Sequence, residues 1–482
     1  MGTDLAMSKD ANWHVFSALG RPLLLDVKTG GLHELDAVAR DVALAYGEPR
    51  TEIIRRLGPV HTVQAVAEAI EEFDGMVAEG RLSRPDTPDE PYMPQGEVLV
   101  KALCLHVAHD CNLRCRYCFG NTGTFGMTRE LMPERVARAA IDFLLGRSGA
   151  RRNLNVDFFG GEPLLNFDVV RSTVEYGRKR AEAQGKRIEF TITTNAALLD
   201  GDVAEFLDEN DMLVVLSLDG RREVHDRMRV AQGGGGTYDL VAPRVTKFIA
   251  NRSPDSYFVR ATYTRANLDF ASDVLHLADL GCRSISAEPV VGGRDSWYGI
   301  RMEDLGVIER EYERLARLFV QRHARGQGFS FYHFNVDLDG GPCLARRLSG
   351  CGAGVDYLAV APSGGLYPCH QFVGRPEFLM GDVFNGGIDP ELVARFRNTH
   401  VYTKKGCAEC WARFICSGGC HANAYASSGD ILAPDPVACA IQKKRIECAL
   451  AVQAILTDRR REALAQEAHM LPSNAVTQGK GA

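Results

Sequence analysis

No stretch of this chain approaches the roughly 18 consecutive apolar residues that a membrane-crossing helix requires. The opening Met1-Gly2-Thr3-Asp4-Leu5-Ala6 holds no secretory hydrophobic region, and Ala6 stands where an N-myristoylation pattern carries Ser or Thr. A cytoplasmic protein with no membrane partner is expected. Excess positive charge is missing as well: 56 Lys and Arg face 62 Asp and Glu, a net charge of -6, so electrostatics give no reason to expect a nucleic acid partner. Nor is the composition that of a disordered chain, with 45% hydrophobic and 24% charged residues. At 482 residues, against about 150 per domain, the chain has room for roughly two to four units and a large core.

Cysteine, by contrast, is plentiful: 14 residues, most of them clustered. The cytosol keeps thiols reduced, so metal or redox chemistry rather than disulfide bonding has to account for the clusters.

Between Trp13 and Arg84, the apolar runs His14 to Leu19 and Pro22 to Val27 predict a hairpin, with Gly30-Gly31 as a second turn. Helical spacing follows over 35–46, 51–57 and 63–79, with Val66, Ile70, Phe73 and Met76 on one face. A proline-bearing polar stretch, 83–91, reads as a linker. From Leu103 the pattern alternates, with strands over 103–109, 154–159, 188–194, 213–218, 257–263 and 284–288 and helices over 133–145, 168–183, 202–208, 240–251 and 269–280. Such alternation implies an α/β fold with a parallel sheet, closed fully or partly into a barrel whose sites lie at the C-terminal strand ends. After Pro342 turn residues and cysteines dominate, the pattern of a loop-rich region held by metal. Residues 443–468 are helical in pattern, and 473–480 read as a frayed tail. The expected units are 1–92, 93–335, 336–450 and 451–482.

The segment Cys111-Asn112-Leu113-Arg114-Cys115-Arg116-Tyr117-Cys118 follows the first barrel strand directly. Three thiolates at C-x3-C-x2-C spacing can hold three irons of a [4Fe-4S] cube and leave the fourth open to a small ligand. A structural zinc site is the alternative, though zinc normally takes four ligands in a closed shell. The loop resembles that of the radical S-adenosylmethionine (SAM) enzymes, as does Gly160-Gly161-Glu162-Pro163 after the second strand. The resemblance implies a partial (β/α)6 TIM-like barrel in which the methionine part of SAM chelates the open iron.

It also implies roles for residues at strand ends. Gly160 and Gly161 would let the backbone approach the cofactor, and Glu162 would accept from its ammonium group. Asn195 ends the third strand, Ser217 and Asp219 end the fourth, and Arg260 lies on the fifth, where that fold places ribose and carboxylate contacts; a guanidinium fork suits a carboxylate. Residues of these types also cap helices and form turns. Tyr117 would lie against the adenine, or simply pack. Candidates for a general base are Asp219, Glu288 at the end of the sixth strand, and His370.

Further on, Cys351, Cys369, Cys407, Cys410, Cys416, Cys420 and Cys439 resemble, in order and spacing, the SPASM domain appended to one branch of that family. Zinc ribbons are the alternative, since they share C-x2-C. The resemblance implies two auxiliary [4Fe-4S] clusters, three in all with the barrel cluster. Cys343, Cys351, Cys369 and Cys420 would hold the first auxiliary cluster, and Cys407, Cys410, Cys416 and Cys439 the second. Cys104, Cys282 and Cys448 lie outside the motifs and read as buried small hydrophobes.

The amino-terminal hairpin and helices, including Leu23-Leu24-Leu25-Asp26-Val27 and Thr29-Gly30-Gly31-Leu32-His33-Glu34-Leu35, resemble winged-helix-like peptide-recognition domains and the start of maturases that install thioether bridges. An exposed strand edge there could pair with an extended leader peptide. A dimerisation or DNA-binding winged helix is the alternative. Taken together, the resemblances imply an enzyme joining cysteine sulfur to an unactivated carbon in a small Cys-containing protein or peptide with a leader segment, reduced by a donor such as flavodoxin or ferredoxin. A SPASM dehydrogenase or sulfatase maturase that oxidises a side chain, and a non-catalytic iron-sulfur electron carrier, are the other readings.

Overall fold

The structure, a computed structural model, describes residues 12–84, 96–292, 295–336 and 344–470. Cys343, the linker from 85 to 91 and the tail at 473–480 lie outside the described residues.

Strands β1 (Trp13–Ala18) and β2 (Arg21–Asp26) form the expected antiparallel hairpin, and β3 (Leu32–Glu34) pairs with the far side of β2. Leu19 and Gly20 both have positive φ, 54° and 83°, as a tight two-residue turn matched to strand twist requires. Helices α1 (Ala37–Ala45), α2 (Arg50–Leu57) and α3 (Val63–Ala78) follow; Asp36 and Thr62 cap α1 and α3 by accepting from Ala39 N and Ala65 N. Val66, Ile70, Phe73 and Met76 bury against Trp13, Leu24 and Val42. The opposite face of the hairpin is covered from far along the chain. Phe16, Leu23 and Leu25 share a core with Trp411, Ile446 and Leu450, and the His14 ring stacks on Trp411 at 3.7 Å and 4°. Asp26 is fully buried, its Oδ1 accepting from Lys28 N, Thr29 N and Ser83 Oγ, which ties the hairpin to the segment after α3.

The next elements alternate: β4 (Ala102–Ala108), α4 (Glu134–Arg147), β5 (Asn153–Gly160), α5 (Phe167–Glu182), β6 (Arg187–Thr194), α6 (Gly201–Glu209), β7 (Leu213–Ser217), α7 (Arg222–Met228), α8 (Tyr238–Ile249), β8 (Tyr257–Tyr263), α9 (Phe270–Asp279), β9 (Ser284–Pro289), α10 (Leu305–Ala324) and β10 (Ser330–Phe331). The strands from β4 to β10 are parallel and lie side by side in chain order. Adding each strand on the same side through right-handed crossovers puts the helices on one face and curls the sheet into a partial barrel. The fold class is the expected one. The sheet stays open, and here the structure goes beyond the expectation of a loop-rich C-terminal region. After α11 (Leu344–Ser349), strand β11 (Tyr357–Val360) pairs in parallel with β4, Tyr357 opposite Ala102, and β12 (Gly365–Tyr367) and β13 (Gly381–Asp382) extend the sheet antiparallel. Four residues are too few to announce this strand by periodicity.

The remainder is helical in short pieces, α12 (Pro390–Arg397), α13 (Arg413–Cys416) and α14 (His421–Ser428), followed by the long α15 (Pro436–Met470). Helix α15 starts earlier than its charged run indicated, because Asp435 accepts from Val437 N and Pro436 occupies the first turn. Cys439 therefore sits on the first turn of a helix. Val437, Ile441, Ala449 and Val452 of α15 belong to the barrel core. No helix among the described residues is long and apolar enough to cross a membrane.

Replacing Asp26 with Ala removes the acceptor of those three donors and leaves buried polar groups unpaired. The expected loss is about 3 kcal/mol, read as a lower urea midpoint by tryptophan fluorescence, since Trp13 lies in the core that Asp26 anchors.

Candidate active site at the mouth of the barrel

The loop after β4 is shaped by its own backbone. Cys111 N donates to Asp110 Oδ1 at 2.7 Å, and Cys118 N to Cys115 O at 3.2 Å. A short ladder latches the loop to the chain after α7, with Arg114 N donating to Val230 O and Arg116 N to Met228 O. The glycine pair docks against its root. A Cβ on Gly160 would lie 2.3 Å from Ala108 O, and one on Gly161 2.0 Å from Asp110 O, so any side chain there would force the loop outward. The close approach these glycines permit is thus to the cysteine loop itself, although both also line the cavity.

Glu162 is not brought to the cavity wall. It is fully buried, accepting from Thr194 Oγ1 (2.7 Å), Asn195 N (2.8 Å) and Leu164 N (3.0 Å), and burial raises its carboxyl pKa to about 7. Its place is structural: it joins the ends of β5 and β6. Asn195, so held, turns its amide to Cys111 Sγ at 3.7 Å and Asn112 Oδ1 at 2.8 Å.

Asp219 is likewise withdrawn. Buried and ion-paired with Arg229 at 3.0 Å, it also accepts from Tyr117 Oη (2.5 Å) and Thr262 N (3.0 Å). A carboxylate so engaged holds Tyr117 and Arg229 in place, and Asp219 is not among the residues lining the cavity. Arg229 stacks on Tyr117 at 5.5 Å.

Cys111, Cys115, Tyr117, Cys118, Gly160, Gly161, Asn195, Ser217, Arg260, Glu288 and His370 all line one cavity of about 360 Å³, and so does Cys420. The Arg260 guanidinium makes no ion pair among the described residues and opens into this space. Glu288 faces His333 Nε2 at 3.3 Å and Arg445 Nη1 at 3.4 Å; burial would raise its pKa, but His333, Arg445 and Arg260 together hold it below the ordinary carboxylate range. It is ionised and a weak base. His370 packs on Phe159 at 4.9 Å and on Phe119 at 5.8 Å, with Nδ1 near Tyr357 Oη, and burial lowers its pKa to about 4, leaving a neutral imidazole at the wall. Of the three base candidates, Glu288 and His370 reach the cavity, and both are weak bases.

The cysteines gather in three sets. Cys111 lies within electrostatic reach of Cys115 and Cys118; Cys369 of Cys351 and Cys420; and Cys439 of Cys407, Cys410 and Cys416. Burial pushes the thiols up, Cys111 to about 12 and Cys115, Cys407 and Cys439 to about 11. Among the described residues three sulfurs stand on the barrel loop, four in the set around Cys439 and three in the set around Cys369. Cys104, Cys282 and Cys448 are buried, and Cys104 lies within electrostatic reach of Cys369.

Arg229, Phe119, Phe125, Phe159, Gln371 and Asn423 also line the cavity and were not singled out from sequence. None stands in a motif, and only the latch between the loop and residues 228–231 brings Arg229 there.

An open parallel barrel with a three-cysteine loop at the C-terminal end of its first strand defines a radical SAM fold. Residues 105–241 match the radical SAM superfamily, so the chain carries a radical SAM domain, and with that domain go a [4Fe-4S] cluster and SAM. An uncharacterized protein of Methanocaldococcus jannaschii is 31% identical over 39% of this chain, which spans 62% of that relative's length. The cysteine-type anaerobic sulfatase-maturating enzyme of Clostridium novyi is 24% identical over 65% of this chain and 86% of its own length. The mycofactocin maturase MftC of Mycolicibacterium smegmatis is 26% identical over 72% of this chain and 86% of its own. Among solved structures, native anSMEcpe with bound AdoMet shares the fold with a TM-score of 0.62 and 20% identity over 75% of this chain and 99% of that one. Streptococcus suis SuiB bound to precursor peptide SuiA has a TM-score of 0.50 and 16% identity over 89% and 98%.

A Glu162→Gln variant keeps the size of the side chain but presents an amide nitrogen to one of its three donors. It is expected to melt several degrees lower, for about 1–3 kcal/mol of unsatisfied hydrogen bonding. Because the wild-type carboxyl titrates near 7 in place of its ordinary 4.5, its contribution to stability falls as pH rises between those values. That slope is absent from the variant, and thermal scans across the range read both effects.

Proposed function

We propose that this chain is a radical SAM maturase that forms intramolecular thioether bonds, joining cysteine sulfur to an unactivated carbon within a small protein or peptide. The observation that carries this reading is the shared cavity: the three cysteines of the barrel loop and Cys420 of the C-terminal set face the same space. A substrate lying there would touch both.

Cys111, Cys115 and Cys118 would hold the barrel cluster. Cys351, Cys369 and Cys420, with Cys343, and the set of Cys407, Cys410, Cys416 and Cys439 would hold two more in a SPASM-type arrangement. Asn195, Ser217 and Arg260 would bind SAM, Arg260 through its unpaired fork to the carboxylate. When bound, the barrel cluster and SAM supply a 5′-deoxyadenosyl radical able to take hydrogen from an unactivated carbon. Phe119, Phe125 and Phe159 form an apolar wall that excludes water from the reacting carbon. His370, neutral and at the wall, would orient the substrate thiol through a hydrogen bond.

The relatives include a maturase, and one structural neighbour holds a precursor peptide. In this chain β3 is the outer strand of the amino-terminal sheet. Asp26 N donates to Gly31 O and Leu35 N to Pro22 O, so the ladder bonds fall on alternate pairs and the N–H groups of Leu32 and Glu34 point away from β2. That free edge suits an extended leader segment. Within the class, the small subunit of quinohemoprotein amine dehydrogenase is the proposed substrate, with short cysteine-rich peptides next, and a flavodoxin or ferredoxin is the proposed reductant. The similarity to sulfatase-maturating enzymes favours a second reading, oxidation of a side chain without a cross-link.

Anaerobically reconstituted protein given dithionite, SAM and a candidate peptide is expected to yield 5′-deoxyadenosine and a peptide lighter by two hydrogens whose cysteine no longer alkylates. A product whose oxidised side chain carries no bond to another residue, read by tandem mass spectrometry, would establish the second reading instead. Glu34→Pro removes one outward N–H without breaking the β2–β3 ladder. It should weaken leader binding about tenfold, a loss of one hydrogen bond, by fluorescence anisotropy, while 5′-deoxyadenosine formation without peptide is unchanged.

A further inference from the structure

Lys404 lies between the two C-terminal cysteine sets. It is 2% exposed, and its ammonium donates to Gly418 O at 2.8 Å and Gly419 O at 3.2 Å. Both carbonyls belong to the loop from Cys416 to Cys420, which gives one sulfur to each set. Ser417, Gly418 and Gly419 hold that loop in three successive left-handed conformations, φ 58°, 79° and 68°. The Lys404 stem packs beneath it, 3.1 Å from where a Gly418 Cβ would stand. Lys404 O also accepts from Cys407 N at 3.2 Å.

A buried ammonium is costly unless an anion answers it. Among the described residues Lys404 has no carboxylate within ion-pair distance, and the groups that face it are Cys407, Cys420, Cys416 and Cys351. Two of these sulfurs belong to each set. As neutral thiols they offer no counter-charge. As ligands they would, since three or four thiolates outnumber the positive charge of an oxidised iron-sulfur core, and each ligated cube is a net anion. The neighbouring cation Lys405 points elsewhere, to Asp430 at 3.1 Å.

This inference rests on the two auxiliary clusters proposed above. We propose that Lys404 is a positioning residue shared by both: its single buried positive charge raises the reduction potential of each auxiliary cluster while its two hydrogen bonds clamp the loop that ligates them jointly. Cluster potential follows net charge and hydrogen bonding around the sulfurs, so a fixed cation serving both makes each easier to reduce.

The experiment compares full-length wild type, Lys404→Gln and Lys404→Arg, reconstituted anaerobically, by iron content and by redox titration followed with electron paramagnetic resonance. Gln keeps an uncharged donor on a side chain one atom shorter; Arg keeps the charge. The expected result is a downward shift of both auxiliary potentials in the Gln variant, wild-type potentials in the Arg variant, and a barrel cluster unmoved in either. Unchanged auxiliary potentials in the Gln variant with full iron would overturn the proposal, as would an equal downward shift in both variants. If the Gln variant loses auxiliary iron, retention by Arg supports the charge and equal loss in Arg overturns it. Wild-type protein holding only about four irons per chain would instead remove the auxiliary clusters themselves, a failure of the underlying reading that is visible before any variant is made.

Discussion

Glu162 is where the geometry of the cavity is decided. Its backbone N–H reaches back to Asp110 O at the root of the cysteine loop, and its carboxylate takes donors from Thr194 and Asn195 at the end of β6. Asn195 then turns toward Cys111. Through one buried side chain the ends of β4, β5 and β6 are held at fixed separations, and the loop that carries three sulfurs inherits that rigidity. A carboxyl group in this position without its donors would cost several kcal/mol; here three donors satisfy it, and it stands behind the cavity lining. The glycine pair before it meets the same demand by sterics, since no Cβ fits against Asp110 O.

Around this framework charge is distributed unequally. The carboxylate of Asp219 is consumed by Arg229, Tyr117 and Thr262, and that of Glu288 by His333 and Arg445. Arg260, which makes no ion pair among the described residues and acts on Glu288 only at longer range, offers the open space a cation for an anionic group. Burial keeps His370 uncharged beside it. Cation and neutral imidazole thus share one wall, an arrangement suited to a ligand carboxylate at one end and an uncharged hydrogen-bonding group at the other.

Much of the barrel could be read from residues alone because its strands are short apolar runs between helical spacings, and because β4 is buried on both faces, as parallel strands are. The cysteine loop was legible for a related reason: its three thiols lie within eight residues, so spacing and geometry coincide. What escaped depends on long-range pairing. The addition of β11 to β4 is specified by no local pattern, and without it nothing predicts that His370 and Cys420 open onto the barrel cavity. Arg229 arrives through a backbone latch, not a motif. Glu162 and Asp219 were recognised as polar residues at strand ends, but whether such a carboxylate faces a ligand or the protein is a question of burial, which one sequence does not encode position by position. The start of α15 was in fact signalled, by Asp435 followed by Pro436.

The pairing of β11 with β4 also says what would happen to a shortened chain. Cut before Tyr357, the sheet would present β4 as an outer strand with its N–H and C=O groups bare along an apolar, fully buried sequence, Leu103-Cys104-Leu105 among it. An uncovered edge of that kind recruits other copies of itself. The barrel segment isolated from its C-terminal part would therefore be prone to aggregate, and the C-terminal part serves it as an edge cover whatever else its cysteines do.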